Sequence, residues 1–158
     1  KKDVIQMTEL HKSSSHVQML AEDIIFQEIE KILDTKFEKN KKLYMANNSY
    51  TYIQPDFYSW EAGIVGEIFA HIGKSKKAQY NKISNDILKM LLLEKKSNKQ
   101  FRKIIVVCDE IEYKQLLGKS VLAESIREFG IEIMCIDLDE TLRLKILAAQ
   151  ERQKMTNA

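Results

Sequence analysis

Two acids eleven positions apart, with a lysine-rich segment just behind them, are the part of this 158-residue chain best suited to chemistry. The first, Asp56, directly follows Pro55, the only proline in the sequence. The second, Glu67, sits in the apolar run Ile64-Val65-Gly66-Glu67-Ile68-Phe69-Ala70. Burying an unpaired carboxylate in such a run costs several kcal/mol, so an acid at that position needs a reason. A divalent cation supplies one. Mg²⁺ commonly takes one or two carboxylates, with water and substrate phosphate completing its shell. Asp56 and Glu67 brought together on adjacent strands would therefore suit metal-assisted hydrolysis of a phosphodiester, with Mg²⁺ (or Mn²⁺) as the cofactor. A nearby lysine would hold the attacking water and offset charge on the phosphate.

The charge pattern agrees with a polyanionic substrate. The net charge is only +2, but Lys74 to Lys103 carries ten basic residues against Asp86 and Glu94, a local balance of +8. From Asp109 to Glu140 nine acids face three basic residues. A basic middle and an acidic end suit a protein that turns one face to nucleic acid, DNA above all, with Lys74, Lys76, Lys77 and Lys89 as the phosphate-gripping residues. Lysines that merely solvate helix surfaces are the plain alternative.

These residues must be positioned by elements legible in the hydrophobic pattern. Val17, Leu20, Ile24, Ile25, Ile29, Ile32 and Leu33 recur at helical spacing and predict a first helix over about Ser15 to Asp34. Lys36 to Lys42 reads as a basic turn. Asn47-Asn48-Ser49 punctuates before a short strand, Tyr50 to Ile53, which Pro55 limits. Glu61 to Ile72 reads as a buried strand ended by Gly73, and Lys76 to about Leu93 as a second helix with a basic outer side. Then follow an apolar strand (Phe101 to Cys108), a helix (Tyr113 to Phe129, stopped by Gly130), a strand (Glu132 to Leu138) and a closing helix to about Lys154 that Asp139 caps. The order implies one α/β domain over 1–158, a mixed central sheet flanked by helices, with loose ends at about 1–12 and 152–158. Strand alternation puts Val65, Glu67, Phe69 and His71 on one side, so His71 is a further candidate for the site.

The order of parts and the two acids resemble the PD-(D/E)XK nuclease superfamily. Its core runs helix, three strands, helix, strand, and its motif pairs a Pro-Asp with an acid-x-lysine on the next strand. Pro55-Asp56 matches the first half, and Glu67-Ile68-Phe69 supplies the second acid with Phe69 where the lysine usually stands. The resemblance covers roughly residues 15 to 110. It implies a restriction endonuclease-like core and metal held at Asp56, Glu67 and Ile68. In some members the lysine has moved to the following helix, which makes Lys82 the candidate, with Gln79 just before it and Lys74 and Lys77 in reserve. Glu22 on the first helix corresponds to an extra acid that some members use. The implied activity is a metal-dependent nuclease acting on DNA, with a second copy of the chain as a candidate partner.

Plainer readings stand beside each residue. Asp56 could cap a turn, Glu67 could lie exposed on an edge strand, and Lys82 could pair with Asp86 one helical turn on. His71 could be a satisfied strand histidine, and Glu22 beside Asp23 a surface charge. Tyr52, Phe57, Tyr58 and Trp60 could stack on bases or simply fill the core. Two functional alternatives remain: a catalytically silent relative that binds nucleic acid or protein, and an unrelated ligand-binding or signalling α/β domain. With five glycines there is no phosphate loop of the Walker or dinucleotide type, and no serine or cysteine sits in a nucleophile elbow. Cys108 and Cys135 lie in apolar strands, where reduced, buried thiols are expected; two cysteines make no zinc cluster. No apolar run is long enough to span a membrane, and Lys1 to Met7 lacks the apolar core of a secretory signal, so cytoplasmic residence is the expectation.

Overall fold

The computed structural model describes the backbone of residues 2–46 and 50–157, and the side chains of residues 15–46 and 50–156. The expected turn at Asn47-Asn48-Ser49 lies outside the described residues. The element order is α1 (Lys2–Ile32), β1 (Glu38–Lys39), β2 (Leu43–Tyr44), β3 (Tyr52–Ile53), β4 (Phe57–Ser59), β5 (Ile64–Phe69), α2 (Lys77–Ser97), β6 (Arg102–Val107), α3 (Glu110–Leu116), α4 (Val121–Glu128), β7 (Ile131–Cys135) and α5 (Glu140–Asn157).

Five strands form a mixed sheet in the order β1-β4-β5-β6-β7, and β2 and β3 make a separate small ribbon. The β1–β4 and β4–β5 pairs are antiparallel, whereas β5–β6 and β6–β7 are parallel. Parallel pairing needs a crossover, which α2 supplies between β5 and β6 and the α3–α4 pair supplies between β6 and β7. The two central strands, β5 and β6, are buried on both faces apart from Arg102 at the entrance of β6, as near-continuous runs of branched apolar residues require.

The period-2 alternation of these strands divides the core in two. Ile64, Ile68, Ile104 and Val106 face α1 and α5 together with Phe57, Ile25, Ile29 and Ile146. Val65, Phe69, Ile105 and Val107 face the other way, against Ile83, Ile87 and Met90 of α2, Leu116 of α3 and Ile126 of α4. The molecule is thus a three-layer α/β sandwich. Gly66 shows how tightly the first layer closes: a Cβ there would lie 1.9 Å from Cζ of Phe57 on the neighbouring strand.

The structure departs from the sequence reading most in three places, and it also puts β1 (Glu38–Lys39) inside the expected basic turn and shortens the strand expected over Glu61 to Ile72 to Ile64–Phe69. The helix expected over Tyr113 to Phe129 is two helices, because the chain breaks at Leu117-Gly118-Lys119 and Ser120 starts a new helix, its hydroxyl accepting the Ala123 N–H at 3.0 Å. The first helix starts at Lys2 instead of Ser15. The stretch Phe57–Ser59 forms a strand of its own, whose aromatic residues Phe57 and Tyr58 point into opposite cores. Both cysteines are free, Cys108 buried and Cys135 half-buried, and burial pushes the Cys108 thiol up to about 12.

Candidate active site

The antiparallel register of β4 on β5 pairs Phe57 with Gly66 and Tyr58 with Val65. Continued by one step, it sets Asp56 across from Glu67. Side chains directly opposite each other project to the same face, so both acids lie on the side of the sheet covered by α2. Pro55, buried, ends the preceding segment and delivers Asp56 to the mouth of the strand. One Asp56 oxygen accepts the Ile68 N–H at 2.7 Å, which fixes the orientation of its carboxylate.

Glu67 is buried to 8% exposure. Burial first, then the Asp56 charge and a hydrogen bond with Asp56, then Asp86, push its carboxyl up to about 10, while Lys89 works the other way. The edge-strand reading of Glu67 does not hold, because β5 lies inside the sheet. Asp86 on α2 is a third acid at the cleft. Its carboxyl is raised by burial, opposed by Lys89 and Lys82, and raised further by Asp56. Glu22 on α1 is a fourth: burial and the Asp56 charge raise it, against Gln18, Lys82 and Lys39. Asp56 is thus the common electrostatic neighbour of Glu67, Asp86 and Glu22.

Two lysines of α2 answer them. Lys82, Asp86 and Lys89 lie at i, i+4 and i+7, on one face of the helix. Lys89 Nζ lies 3.4 Å from Asp86 Oδ1, so Lys89 belongs to the cleft and not only to an outer phosphate-gripping surface. Lys82 makes no ion pair with Asp86. Its Nζ lies 5.7 Å from the centroid of the Phe69 ring, over the side chain that stands two residues beyond Glu67. The Lys82 charge acts on both Glu22 and Asp86.

His71 and Gln79 lie outside this group. His71 stacks on Phe69 with ring centroids 5.5 Å apart, and its Nδ1 faces Glu112 of α3 at 3.4 Å. Gln79 is engaged at the start of α2, where its side-chain oxygen accepts the Lys76 N–H at 2.8 Å. Lys74, Lys76 and Lys77 are exposed in and just after the connection from β5 to α2. Of the candidate base-stacking aromatics, Phe57 and Tyr58 are core residues. Trp60 is half-exposed and packs edge-on against Phe101 with Lys99 over its ring, while Tyr52 packs against Tyr44 in the small ribbon.

Asp86 was hidden in the sequence as the helical neighbour of Lys82. The signal that could have found it is an acid on the apolar face of α2, between Ile83, Ile87 and Met90. Among the described residues, no three acid, imidazole or thiol side chains are grouped closely enough to cage a metal unaided. Asp56 and Glu67 offer two hard oxygen donors, the number that Mg²⁺ commonly takes from protein. Ile68 could add only its main-chain oxygen. Among the described residues no helix is long and apolar enough to cross a membrane. No protein-family model matches the chain, and no curated protein matches it.

Proposed function

We propose that this chain is a metal-dependent nuclease with a restriction endonuclease-like core, cutting phosphodiester bonds of DNA at the cleft formed by Asp56, Glu67 and Lys82. The observation that carries the reading is the juxtaposition of Asp56 and Glu67 across β4 and β5, with Glu67 so short of compensating charge that it holds its proton far above the usual carboxylate range. A divalent cation bound at this pair would supply the positive charge that both carboxylates lack. The order helix, antiparallel hairpin, helix, parallel strand (α1, β4–β5, α2, β6) supports the same reading, as does the approach of Lys82 to Phe69.

A divalent cation, when bound, would polarise the scissile phosphate and lower the pKa of a bound water. Asp56, already oriented by the Ile68 N–H, and Glu67, on giving up its proton, would hold it. Lys82 would orient the attacking water or offset the charge that develops on the phosphate oxygens. Water attacks phosphorus, one P–O ester bond breaks, and the leaving oxygen takes up a proton. Lys74, Lys76 and Lys77, exposed between β5 and the first turn of α2, suit contacts to the phosphate backbone, which position a nucleic acid without reading its sequence.

The second reading, a silent relative that binds without cutting, is favoured by Phe69 at the motif's lysine position. Incubation of the purified chain with supercoiled plasmid and with single-stranded DNA, in Mg²⁺ or Mn²⁺ and in EDTA, separates the two. Nicking that needs metal and disappears in Asp56→Ala is expected. Salt-sensitive DNA retention with no nicking in any metal would replace the nuclease with the silent binder.

A further inference from the structure

The connection from β5 to α2 is bound to its surroundings more firmly than a passing turn needs to be. Gln150 of α5 clamps Ile72 from both sides, its oxygen accepting the Ile72 N–H at 2.9 Å and its amide donating to the Ile72 carbonyl at 3.0 Å. Asp109 accepts the Gly73 N–H at 2.9 Å and is itself held by Arg143 at 2.7 Å. Gln115 accepts the Ser75 N–H at 3.0 Å and donates to the Ser75 carbonyl at 3.3 Å. Side chains from α3, α5 and the β6–α3 junction thus fix the backbone at Ile72, Gly73 and Ser75, while Lys74 and Lys76 remain exposed.

This strap and α5 border a groove of about 590 Å³ with His71, Lys74, Lys76 and Gln79 on one wall and Gln150 and Lys154 among the residues of the other. The inner edge of the His71 ring is buried. Its Nδ1 and Oε2 of the fully buried Glu112 face each other, and neither has any other hydrogen-bond partner. The other Glu112 oxygen accepts the Ser75 hydroxyl. Glu112 therefore ties the imidazole to the strap and leaves the remainder of the ring to meet the groove. The 21-residue helix α2 begins at the same place, with no acid of its own in the first turn. Lys154 is paired with Glu151, whereas Lys74 and Lys76 form no ion pair among the described residues.

We propose that this groove is a phosphate-binding subsite, in which His71, Lys74 and Lys76 hold a backbone phosphate of the same nucleic-acid strand that the Asp56–Glu67 cleft acts on. The inference rests on the nuclease reading for the identity of the strand, and on the strap for the site itself. Contiguity supports it: Phe69 touches Lys82 of the cleft on one side and stacks on His71 of the groove on the other. A strand lying along the exposed end of α2 would meet Lys82 and the groove in succession. A locked backbone carrying cationic side chains is already ordered for its ligand and loses little freedom on binding.

The test is an NMR titration of the ¹⁵N-labelled full chain with a 5′-phosphorylated thymidine dinucleotide in EDTA, so that no metal recruits the probe to the carboxylates. Saturable shifts of the His71 imidazole and of the Gly73 and Lys74 amides are expected. The affinity should fall at least fivefold in Lys74→Gln/Lys76→Gln, and by less than twofold in Lys95→Gln/Lys96→Gln, which removes equal charge from the other end of α2. No saturable shift at His71, or an equal loss in both double variants, overturns the subsite. The plasmid assay decides the nuclease reading separately. Cleavage without these shifts sinks the subsite alone, and shifts without cleavage sink the nuclease alone.

Discussion

Asp56 stands across from Glu67 in the continued register of β4 and β5, close enough that the two carboxyls share a hydrogen bond. This pairing gives the chain a stability that depends on pH in an unusual direction. The unfolded chain releases the Glu67 proton near its ordinary 4.5, whereas the folded chain keeps it up to about 10. The neutral carboxyl therefore contributes stability that is fully present below about pH 4.5 and is lost as pH rises towards 10, by at most about 1.4 kcal/mol per pH unit. In EDTA, wild type should lose several kcal/mol relative to Glu67→Gln between pH 6 and pH 9, read from urea unfolding. Parallel pH profiles for the two proteins would show that Glu67 is not held neutral.

Lys82 is exposed, with its ammonium group over the Phe69 ring. Lys82→Ala should leave unfolding free energy within about 0.5 kcal/mol of wild type, as for other exposed substitutions. It should lower single-turnover cleavage by roughly 10²- to 10⁴-fold, the range of a positioned proton-transfer group. An unchanged cleavage rate would move the role to Lys89, the other lysine beside Asp86, or to no lysine at all.

The close approach of Gly66 to Phe57 leaves no room for a methyl group. Gly66→Ala should destabilise the chain by about 3 kcal/mol or more, since both strands are buried and the clash falls on a ring with no space to retreat. Thermal unfolding of Gly66→Ala beside Gly66→Ala/Phe57→Leu checks the cause. Partial recovery in the double variant is expected, and equal loss in both would place the strain elsewhere.

Arg143 anchors the strap from α5. Its guanidinium donates to Asp109 Oδ1 at 2.7 Å and to the Cys108 carbonyl at 3.1 Å. Burial works against the Asp109 charge, but the Arg143 bond and the Gly73 N–H outweigh it and hold the carboxyl below the usual carboxylate range. A depressed acid contributes stability above its unfolded pKa and loses it as pH falls through the folded one. Arg143→Met leaves Asp109 nearly buried without its cation and should cost about 3 kcal/mol near neutral pH. That deficit should shrink below pH 4, alongside faster amide exchange at Gly73. A deficit that stays constant down to pH 3 would exclude the ion pair as its source.

Much of this architecture was readable from the residues, for reasons that also mark where reading stopped. The runs Ile64–Phe69 and 103–107 are buried on both faces, so composition alone marks them as strands. Asp56 and Glu67 stood out because an acid in an apolar run is costly. The pairing of Asp56 with Glu67 depends on the register of β4, a three-residue strand too short to show a period of its own. The split between α3 and α4 rests on Gly118 and the Ser120 cap inside an otherwise continuous apolar rhythm. Asp86 and Glu112 were obscured by neighbouring charges, since an acid in a charged helix looks solvated until packing shows which face it is on. The clamping of Ile72, Gly73 and Ser75 by Gln150, Asp109 and Gln115 spans up to 78 positions in sequence, and no local pattern encodes it.

Isothermal titration with Mn²⁺ at pH 8, repeated in buffers of different ionisation enthalpy, addresses the Asp56–Glu67 centre most directly. Wild type should bind Mn²⁺ saturably and release about one proton per ion as Glu67 becomes a carboxylate, with both binding and release lost in Asp56→Asn and in Glu67→Gln. Binding that persists unchanged in those two variants, or none to folded wild type at millimolar Mn²⁺, would contradict a metal centre at this pair.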